Sequence, residues 1–528
     1  MRALLVLVIV AACSHPATAP SVHGPAAAVW KGPEILARVP ADTPYVIGVL
    51  EPLPPKLRAQ FIAQGGDNVK AALEKAAAGQ GRSALVAAAL YAELDGVDPE
   101  RWMEALGLRS DGRFVLYGES KWWPVLRVET KDPVRVRELL ARIVKAGAPD
   151  LQPSTIGHAM LYTLKEDRLS FIFGVVDREL VAAAMPTTEV ERMTLTLSGA
   201  SPPAKSLRDA PTIPALLAKH RFLPSVVGYL DSMRLLDALM STVGSTKLTP
   251  ACHDDFARMA AVFPRFVLGY RRIDERGFTA TLAVEAPQDI IAGLEKLHTP
   301  MPALPTAHQP LFAIAAAVNV DAMFGWLRDT TRQLRSHPFR CDAFDKLNHA
   351  IDDLGSKLDE PVPPMVQGLR GFELVIDDAT VMPPGGTGHL LLAGDHIADL
   401  VHQMLAKVPP LAALQIPPDG APVELPMGQL GVPASFKSAH VALRPTRAAL
   451  AIGDDSARRA SERAGAKDAH VPLAAVFYDL PKIKERLGMF LKEDDLVGMA
   501  NIGTGSVALD VGDDGIYFDL VGTWAPRR

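Results

Sequence analysis

Cysteine thiols have the widest range of chemistry in this chain, because they can form disulfides, carry lipids or ligate metals. The sequence holds three: Cys13, Cys252 and Cys341. Cys252 and Cys341 lie about ninety residues apart and would form an even pair in an oxidising compartment, with no competitor once Cys13 is modified. We expect a disulfide between them; the alternative is two buried thiols that never meet. His253 adjoins Cys252, but no Cys-x-x-Cys or His-x-x-x-His spacing accompanies it, so metal binding there is not expected.

Histidines gather in one segment, at His389, His396 and His402. The last two are six residues apart, which on a helix separates their directions by about 120°, so we do not expect them to share a metal ion. Solvent-exposed histidines are the better interpretation. His158 and His440 occupy matching positions at the starts of two predicted strands, where a structural hydrogen bond is favoured over a ligand role. The sequence therefore predicts no metal site.

Familiar catalytic motifs are absent from the sequence. It has no Gly-x-Ser-x-Gly elbow, no Walker A loop and no Gly-x-Gly-x-x-Gly turn after a strand. Gly118-Glu119-Ser120 lies between two predicted strands and is interpreted as a hairpin turn. The acidic run Asp510–Gly515 lacks the ligand positions of a calcium loop and is also predicted to be a turn. The chain is thus interpreted as a protein without a catalytic site or cofactor, and the alternative is a hydrolase whose site residues are dispersed.

The amino terminus indicates where the protein works. Arg2 precedes the apolar run Ala3–Ala12, which is too short to span a bilayer as a helix. The run Val10-Ala11-Ala12-Cys13 resembles the lipobox of bacterial lipoprotein precursors. That resemblance implies that residues 1–12 are a signal peptide removed before Cys13, and that Cys13 then carries the lipid anchor. An ordinary signal peptide cut at Ala17-Thr18-Ala19 is the alternative.

The segment after the lipobox indicates where the protein is located, and the overall net charge limits which partners are expected. By resemblance to enterobacterial sorting, Ser14 after the lipidated cysteine implies the outer membrane, if the source has two membranes. Residues 13–33 are rich in Ala and Pro and predict a tether. The net charge of −5 becomes −6 when Arg2 is removed, so nucleic acid is not an expected partner. The expected partners are the membrane through the anchor, and an envelope protein or an apolar ligand.

Four apolar strands share one pattern, in which each follows a proline and ends in an acidic residue where a helix is predicted to begin. The four acids are Glu51, Asp231, Asp321 and Asp479. A carboxylate at a helix start accepts hydrogen bonds from the free N–H groups of the first turn. We therefore interpret these acids as helix caps and not as catalytic groups. The adjacent pair Trp122-Trp123 is similarly interpreted as core or edge packing, with the lining of a groove as the alternative.

A larger repeat contains these strands. The strand and helix of residues 123–143 match those of residues 389–408, and the flanking strands match in the same order. The flanking pairs are residues 114–117 with 372–376, 158–161 with 440–443, and 169–175 with 449–453. We infer a duplication into two α+β halves, residues 34–298 and 307–528, joined by a linker at 299–306. Each half is expected to be an antiparallel or mixed sheet with helices packed on one face.

The opening of the first half, Val39-Pro-Ala-Asp-Thr-Pro44 and the apolar strand after it, resembles uncharacterised exported bacterial proteins. No activity is known for that family, so the resemblance implies only the class of protein and its location. The expected function is that of a membrane-anchored bacterial envelope lipoprotein that binds or interacts with other molecules. The alternatives are a lipid or lipoprotein carrier, which needs a large apolar cavity, and an envelope hydrolase.

Overall fold

The computed structural model describes residue 30 and residues 32–98, 101–119, 121–243, 249–304, 309–363, 366–488 and 502–524. The predicted signal peptide at 1–12, the lipobox with Cys13 and most of the tether lie outside the described residues, as does part of the linker at 299–306. In the part of the chain that the structure describes, no helix is long and apolar enough to cross a membrane.

The chain divides into two compact units. Among the described residues, unit 1 runs up to Val243 and also includes Pro264–Glu275. Unit 2 consists of Thr249–Phe263 and the chain from Arg276 onward. The predicted halves, 34–298 and 307–528, describe the repeat in the sequence, and their bounds stay a prediction.

Unit 1 is an antiparallel sheet with helices packed against it. Its strands are β1 (Tyr45–Val49), β2 (Phe114–Gly118), β3 (Pro124–Glu129), β4 (Ser154–Ile156), β5 (Ala159–Lys165), β6 (Leu169–Val176), β7 (Glu179–Pro186), β8 (Leu223–Asp231) and β9 (Arg265–Asp274). Its helices are α1 (Pro55–Ala77), α2 (Arg82–Leu94), α3 (Trp102–Ala105), α4 (Pro133–Gly147), α5 (Val190–Ser198), α6 (Thr212–His220) and α7 (Ser232–Val243), and its 3₁₀ turns include Glu34–Arg38 and Thr187–Glu189. The strands pair in the order β4-β5-β6-β7-β3-β2-β1-β8-β9.

Unit 2 has the same kind of architecture. Its strands are β10 (Gly277–Glu285), β11 (Phe312–Ala316), β12 (Leu369–Val381), β13 (Pro384–Gly394), β14 (Val423–Glu424), β15 (Ala439–Arg444), β16 (Arg447–Ile452), β17 (Ala474–Asp479), β18 (Ile502–Gly512) and β19 (Gly515–Trp524). Its helices are α8 (Pro250–Val262), α9 (Gln288–Glu295), α10 (Val320–Ser336), α11 (Asp345–Leu358), α12 (Ile397–Ala406), α13 (Ser456–Ala464) and α14 (Leu480–Leu487), with 3₁₀ turns that include Asp342–Phe344, Pro409–Leu411, Met427–Leu430 and Ala434–Phe436. The strands pair antiparallel in the order β14-β15-β16-β13-β12-β11-β17-β18-β19-β10.

The two units repeat one strand order, which confirms the predicted duplicated α+β fold. The order β6-β7-β3-β2-β1-β8-β9 of unit 1 corresponds to β15-β16-β13-β12-β11-β17-β18 of unit 2. Two of the sequence matches are displaced by one strand, because they aligned β5 with β15 and β6 with β16, whereas β16 pairs with β13 as β7 pairs with β3. The two strands of a hairpin carry similar apolar patterns, so the pattern alone did not distinguish them.

Helices cover both faces of the sheet at β13, β15 and β16, where the sequence pattern predicted one face. Successive side chains of a strand point to opposite faces. Ala449 packs in one buried cluster with Ala460 of α13. Its neighbour Ala448 packs in another cluster with Ile397 of α12. The small alanine side chains allow α13 to lie close to the sheet.

Two of the four predicted acidic caps are confirmed. The Asp231 carboxylate accepts a hydrogen bond from the backbone N–H of Arg234 at 3.1 Å, where α7 begins. The Asp479 carboxylate accepts one from the N–H of Lys482 at 3.0 Å, where α14 begins. Both acids therefore satisfy first-turn donors that have no partner within the helix.

The other two predicted caps are wrong. Helix α10 begins one residue before Asp321, so Asn319 occupies the capping position and accepts from the N–H of Ala322 at 3.0 Å. No helix begins at Glu51, whose carboxylate instead accepts a hydrogen bond from the Trp30 indole at 2.8 Å. A shift of two residues in the helix start is enough to transfer the cap from Asp321 to Asn319.

Candidate functional site

The predicted disulfide joins Cys252 of α8 to Cys341, and both residues are buried in unit 2. The buried carboxylate of Asp255 accepts a hydrogen bond from the backbone N–H of Cys341 at 2.8 Å. The Arg258 guanidinium lies 4.0 Å from the centroid of the Phe339 ring. The bridge thus belongs to a packed structural cluster, and it engages both thiols.

His389 is buried, so the prediction of an exposed histidine is wrong at this position. Its Nε2 lies 2.6 Å from Oε1 of Glu373, a fully buried residue of β12. Arg463 of α13 donates to the other oxygen of that carboxylate at 2.6 Å. His389 and Arg463 therefore both contact the buried Glu373 carboxylate, and a buried carboxylate requires such partners. His396 and His402 are exposed, as predicted.

Unit 1 contains a second buried charge cluster, centred on Arg127 of β3. Its side chain is fully buried, and its Nη1 donates to Oε2 of Glu179 at 2.9 Å. The same guanidinium donates to the Tyr117 hydroxyl at 3.2 Å and to the Leu197 carbonyl oxygen at 3.3 Å. These contacts join β2, β3, β7 and α5, so the cluster is structural and gives no access to a substrate.

An open pocket of about 650 Å³ lies in unit 1. Its volume is typical of small-molecule sites, which span roughly 300–1,000 Å³. The lining carries five charged side chains, of which three are cationic and two acidic: Arg192, Lys205, Arg234, Asp42 and Glu119. Thr196 of α5 and Thr212 of α6 add hydroxyl groups. The pocket therefore offers hydrogen-bonding groups to a polar ligand, beside a part of the lining that proline and alanine residues form.

A chain of ion pairs includes two charged residues of the pocket lining, Arg192 and Glu119. Arg192 donates to both carboxylate oxygens of the buried Glu119 at 2.8 Å, and its Nε donates to Glu189 at 2.9 Å. Lys121 donates to Glu189 at 2.6 Å. The hydrogen bonds to Glu119 raise the pKa of Arg192, and the hydrogen bond from Lys121 is the largest cause that lowers the pKa of Glu189. Arg192 and Glu189 are therefore ionised at neutral pH.

The hairpin between β2 and β3 places Glu119 in the pocket. Gly118 pairs with Pro124, which confirms the predicted turn. Trp122 and Trp123 follow Glu119 in this turn and pack with ring centroids 4.8 Å apart. Trp123 is buried, which confirms the prediction of core or edge packing. Sequence reasoning missed the role of Glu119, because its partner Arg192 is 73 residues away.

A serine–histidine contact occurs in unit 2 but is closed to substrates. Nδ1 of His440 lies 2.9 Å from Oγ of Ser456, which in turn lies 2.8 Å from Oγ of Ser438. Ser456 is only 1% exposed, so a carbonyl carbon cannot approach its hydroxyl. The contact ties the start of β15 to the start of α13, which confirms a structural hydrogen bond for His440. His158, the matching residue by sequence, is exposed.

Three possible metal ligands meet in unit 2: His298, His470 and Asp510. One ligand atom of each lies within 4.8 Å of those of the other two, and the two imidazole rings stack with centroids 4.3 Å apart. Asp510 lies on β18, just before the turn to β19 that the sequence predicted. Sequence reasoning missed the group because its members come from three distant segments with no local spacing.

Comparison with protein-family models, with curated proteins and with solved structures finds no match. The assignment of function therefore rests on the residues of this chain. Of the places where a ligand could bind, the unit 1 pocket combines volume with polar groups, and the three possible metal ligands of unit 2 combine donor atoms of suitable type.

Proposed function

We propose that this chain is an exported bacterial lipoprotein, anchored through Cys13, which binds a small polar ligand in the pocket of unit 1. The observation that carries the binding proposal is the combination of about 650 Å³ of volume with five charged side chains in the lining. Binding is favoured over catalysis because Arg192 and Glu119 of the lining are engaged in an ion pair, and because the serine–histidine contact at Ser456 is buried.

The ligand proposed is polar and carries negative charge. The lining has three cationic side chains against two acidic ones, and Glu189 and Asp231, outside the lining, pair with two of the cations. An acyl chain in this pocket would separate the charged groups from water without replacing their hydrogen bonds, which is unfavourable. A carboxylate or phosphate on a small molecule would instead add hydrogen-bonding partners. This charge pattern argues against the apolar ligand and the lipid carrier suggested by the sequence.

The location proposed follows from the lipobox resemblance and from the tether. Acylation of Cys13 with several chains would anchor the protein stably, at about 0.8 kcal/mol per buried methylene. A tether of some twenty residues, which their Ala- and Pro-rich composition predicts, would hold the folded units roughly 25 Å from the lipid. With Ser14 next to the anchor, the proposed site is the outer membrane if the source has two membranes.

Native mass spectrometry of the protein purified from its own envelope tests the pocket. We expect the wild type to carry a small molecule of defined mass. In Ala204→Trp, a large ring from the pocket lining fills the volume, so we expect that mass to be lost. Ala200→Trp is the matched control, because this exposed alanine in the same segment is not part of the lining.

Two outcomes would contradict the binding proposal. A lipid retained by all three proteins would support the carrier hypothesis and place its site elsewhere. A ligand-free mass for the wild type, unchanged after incubation with an extract of envelope small molecules, would favour a protein partner.

A further inference from the structure

Two imidazoles and one carboxylate of unit 2 come together outside the proposed pocket. His298 and Asp510 are partly buried and His470 is exposed, so the group is accessible from solvent. One donor atom of each residue lies within 4.8 Å of the other two. In a tetrahedral zinc site, with metal–ligand distances near 2.1 Å, donor atoms lie about 3.4 Å apart. The two imidazole rings stack with their planes 22° apart. Because a metal ion lies in the plane of an imidazole that binds it, at least one ring has to rotate about its side-chain bonds when an ion binds.

The backbone holds the three residues on fixed elements. The N–H of His298 donates to the Glu295 carbonyl oxygen at 3.1 Å, at the end of α9. His470 follows Ala469, which exchanges two backbone hydrogen bonds with Met301. Asp510 lies within the paired strand β18. Backbone that is already tied loses little freedom when an ion binds, so mainly the side chains have to reorient.

His298 makes the kind of hydrogen bond through its second ring nitrogen that metal-binding histidines usually make. Its Nε2 is hydrogen-bonded to the carbonyl oxygen of Val471. A carbonyl oxygen only accepts, so Nε2 carries the hydrogen and Nδ1 keeps the lone pair that a metal needs. Such a bond from the second ring nitrogen to a backbone carbonyl orients a ligating imidazole and raises its basicity.

We propose that His298, His470 and Asp510 bind one divalent transition-metal ion, with zinc as the ion to be tested. Two nitrogen donors and one oxygen donor suit Zn²⁺, whereas Ca²⁺ and Mg²⁺ prefer oxygen ligands throughout. Three protein ligands leave a fourth coordination position for water or an external ligand. This site is independent of the unit 1 pocket and of the function proposed for it.

Zinc titration calorimetry of the full-length protein tests the site. The protein is purified in detergent without a histidine tag and stripped with chelator. We expect one Zn²⁺ per chain in the wild type, and an affinity lower by about tenfold or more in His470→Ala and in Asp510→Asn. His396→Ala is the matched control, since it removes an exposed histidine whose Nδ1 lies 3.8 Å from the Asp399 carboxylate. We expect its affinity to equal that of the wild type.

A second readout is the visible absorption of Co²⁺, which is strong when the ion is four-coordinate. Co²⁺ should develop that absorption in the wild type and in His396→Ala, and lose it in His470→Ala. Circular dichroism checks that each variant is folded. The proposal is overturned if the wild type binds no Zn²⁺, if His470→Ala and Asp510→Asn bind as the wild type does, or if His396→Ala weakens binding equally.

Discussion

Replacing Arg127 by methionine should destabilise unit 1 by about 3–5 kcal/mol, because the change leaves a buried carboxylate without its partner. The Arg127 side chain is fully buried and that of Glu179 is 11% exposed, so water cannot replace the lost contact. The Leu197 carbonyl oxygen loses its hydrogen bond from the same guanidinium. Methionine retains most of the packing volume, so the loss reports mainly on charge and hydrogen bonding. Urea unfolding followed by circular dichroism measures it.

Arg142→Met is the control for the Arg127 variant. Arg142 pairs with Glu93 at 2.9 Å, but its side chain is 55% exposed, and we expect a loss of at most about 1 kcal/mol. The double variant Arg127→Met/Glu179→Leu should recover part of the loss, since it removes both charges together. If Arg127→Met and Arg142→Met lower the free energy of unfolding equally, burial does not increase the contribution of the Arg127–Glu179 pair.

Removing the disulfide with the double variant Cys252→Ser/Cys341→Ser should lower the free energy of unfolding of unit 2 by about 4–5 kcal/mol. The bridge closes a loop with a sequence separation of 89 residues, and its loss frees that loop in the unfolded state. Both sulfurs are buried, so two hydroxyl groups would also enter an apolar site. Urea unfolding of wild type and variant, each with and without reductant, measures the effect.

The comparison with and without reductant distinguishes the contribution of the disulfide bond to stability from the contribution of sulfur packing. Reductant should destabilise the wild type by a similar amount and leave the double variant unchanged. Mass mapping without reduction should join the peptides that contain Cys252 and Cys341. Two alkylatable thiols in the wild type, or a loss under about 1 kcal/mol, would contradict a stabilising disulfide.

Local patterns in the sequence predicted much of the fold. Apolar strands in a repeated order predicted a duplicated α+β architecture, and the structure has it. Asp231 and Asp479 were predictable as caps because capping depends on the residue at the helix start. The match of β6 with β16 failed because neighbouring hairpin strands have similar apolar patterns, and only their pairing distinguishes them.

The remaining features depend on contacts between distant segments. No local pattern in the sequence shows that His389 is buried, because its partner Glu373 lies on another strand and the second partner of Glu373, Arg463, lies on a helix. The pocket in unit 1 contains the ion pair of Glu119 with Arg192. These two residues are 73 positions apart in the sequence and come together only when the chain folds. Motif spacing records neighbours in sequence, so such sites are visible only in the structure.

The anchor at Cys13 is the central claim of this account, and mass analysis of the amino-terminal peptide tests it most directly. The protein is purified from membranes of its own source. We predict a peptide that begins at Cys13 and carries diacylglycerol on its sulfur, and a Cys13→Ala protein that is released from membranes. A peptide that begins after Ala19 with no lipid, or a Cys13→Ala protein that stays with membranes through a carbonate wash, would contradict the account.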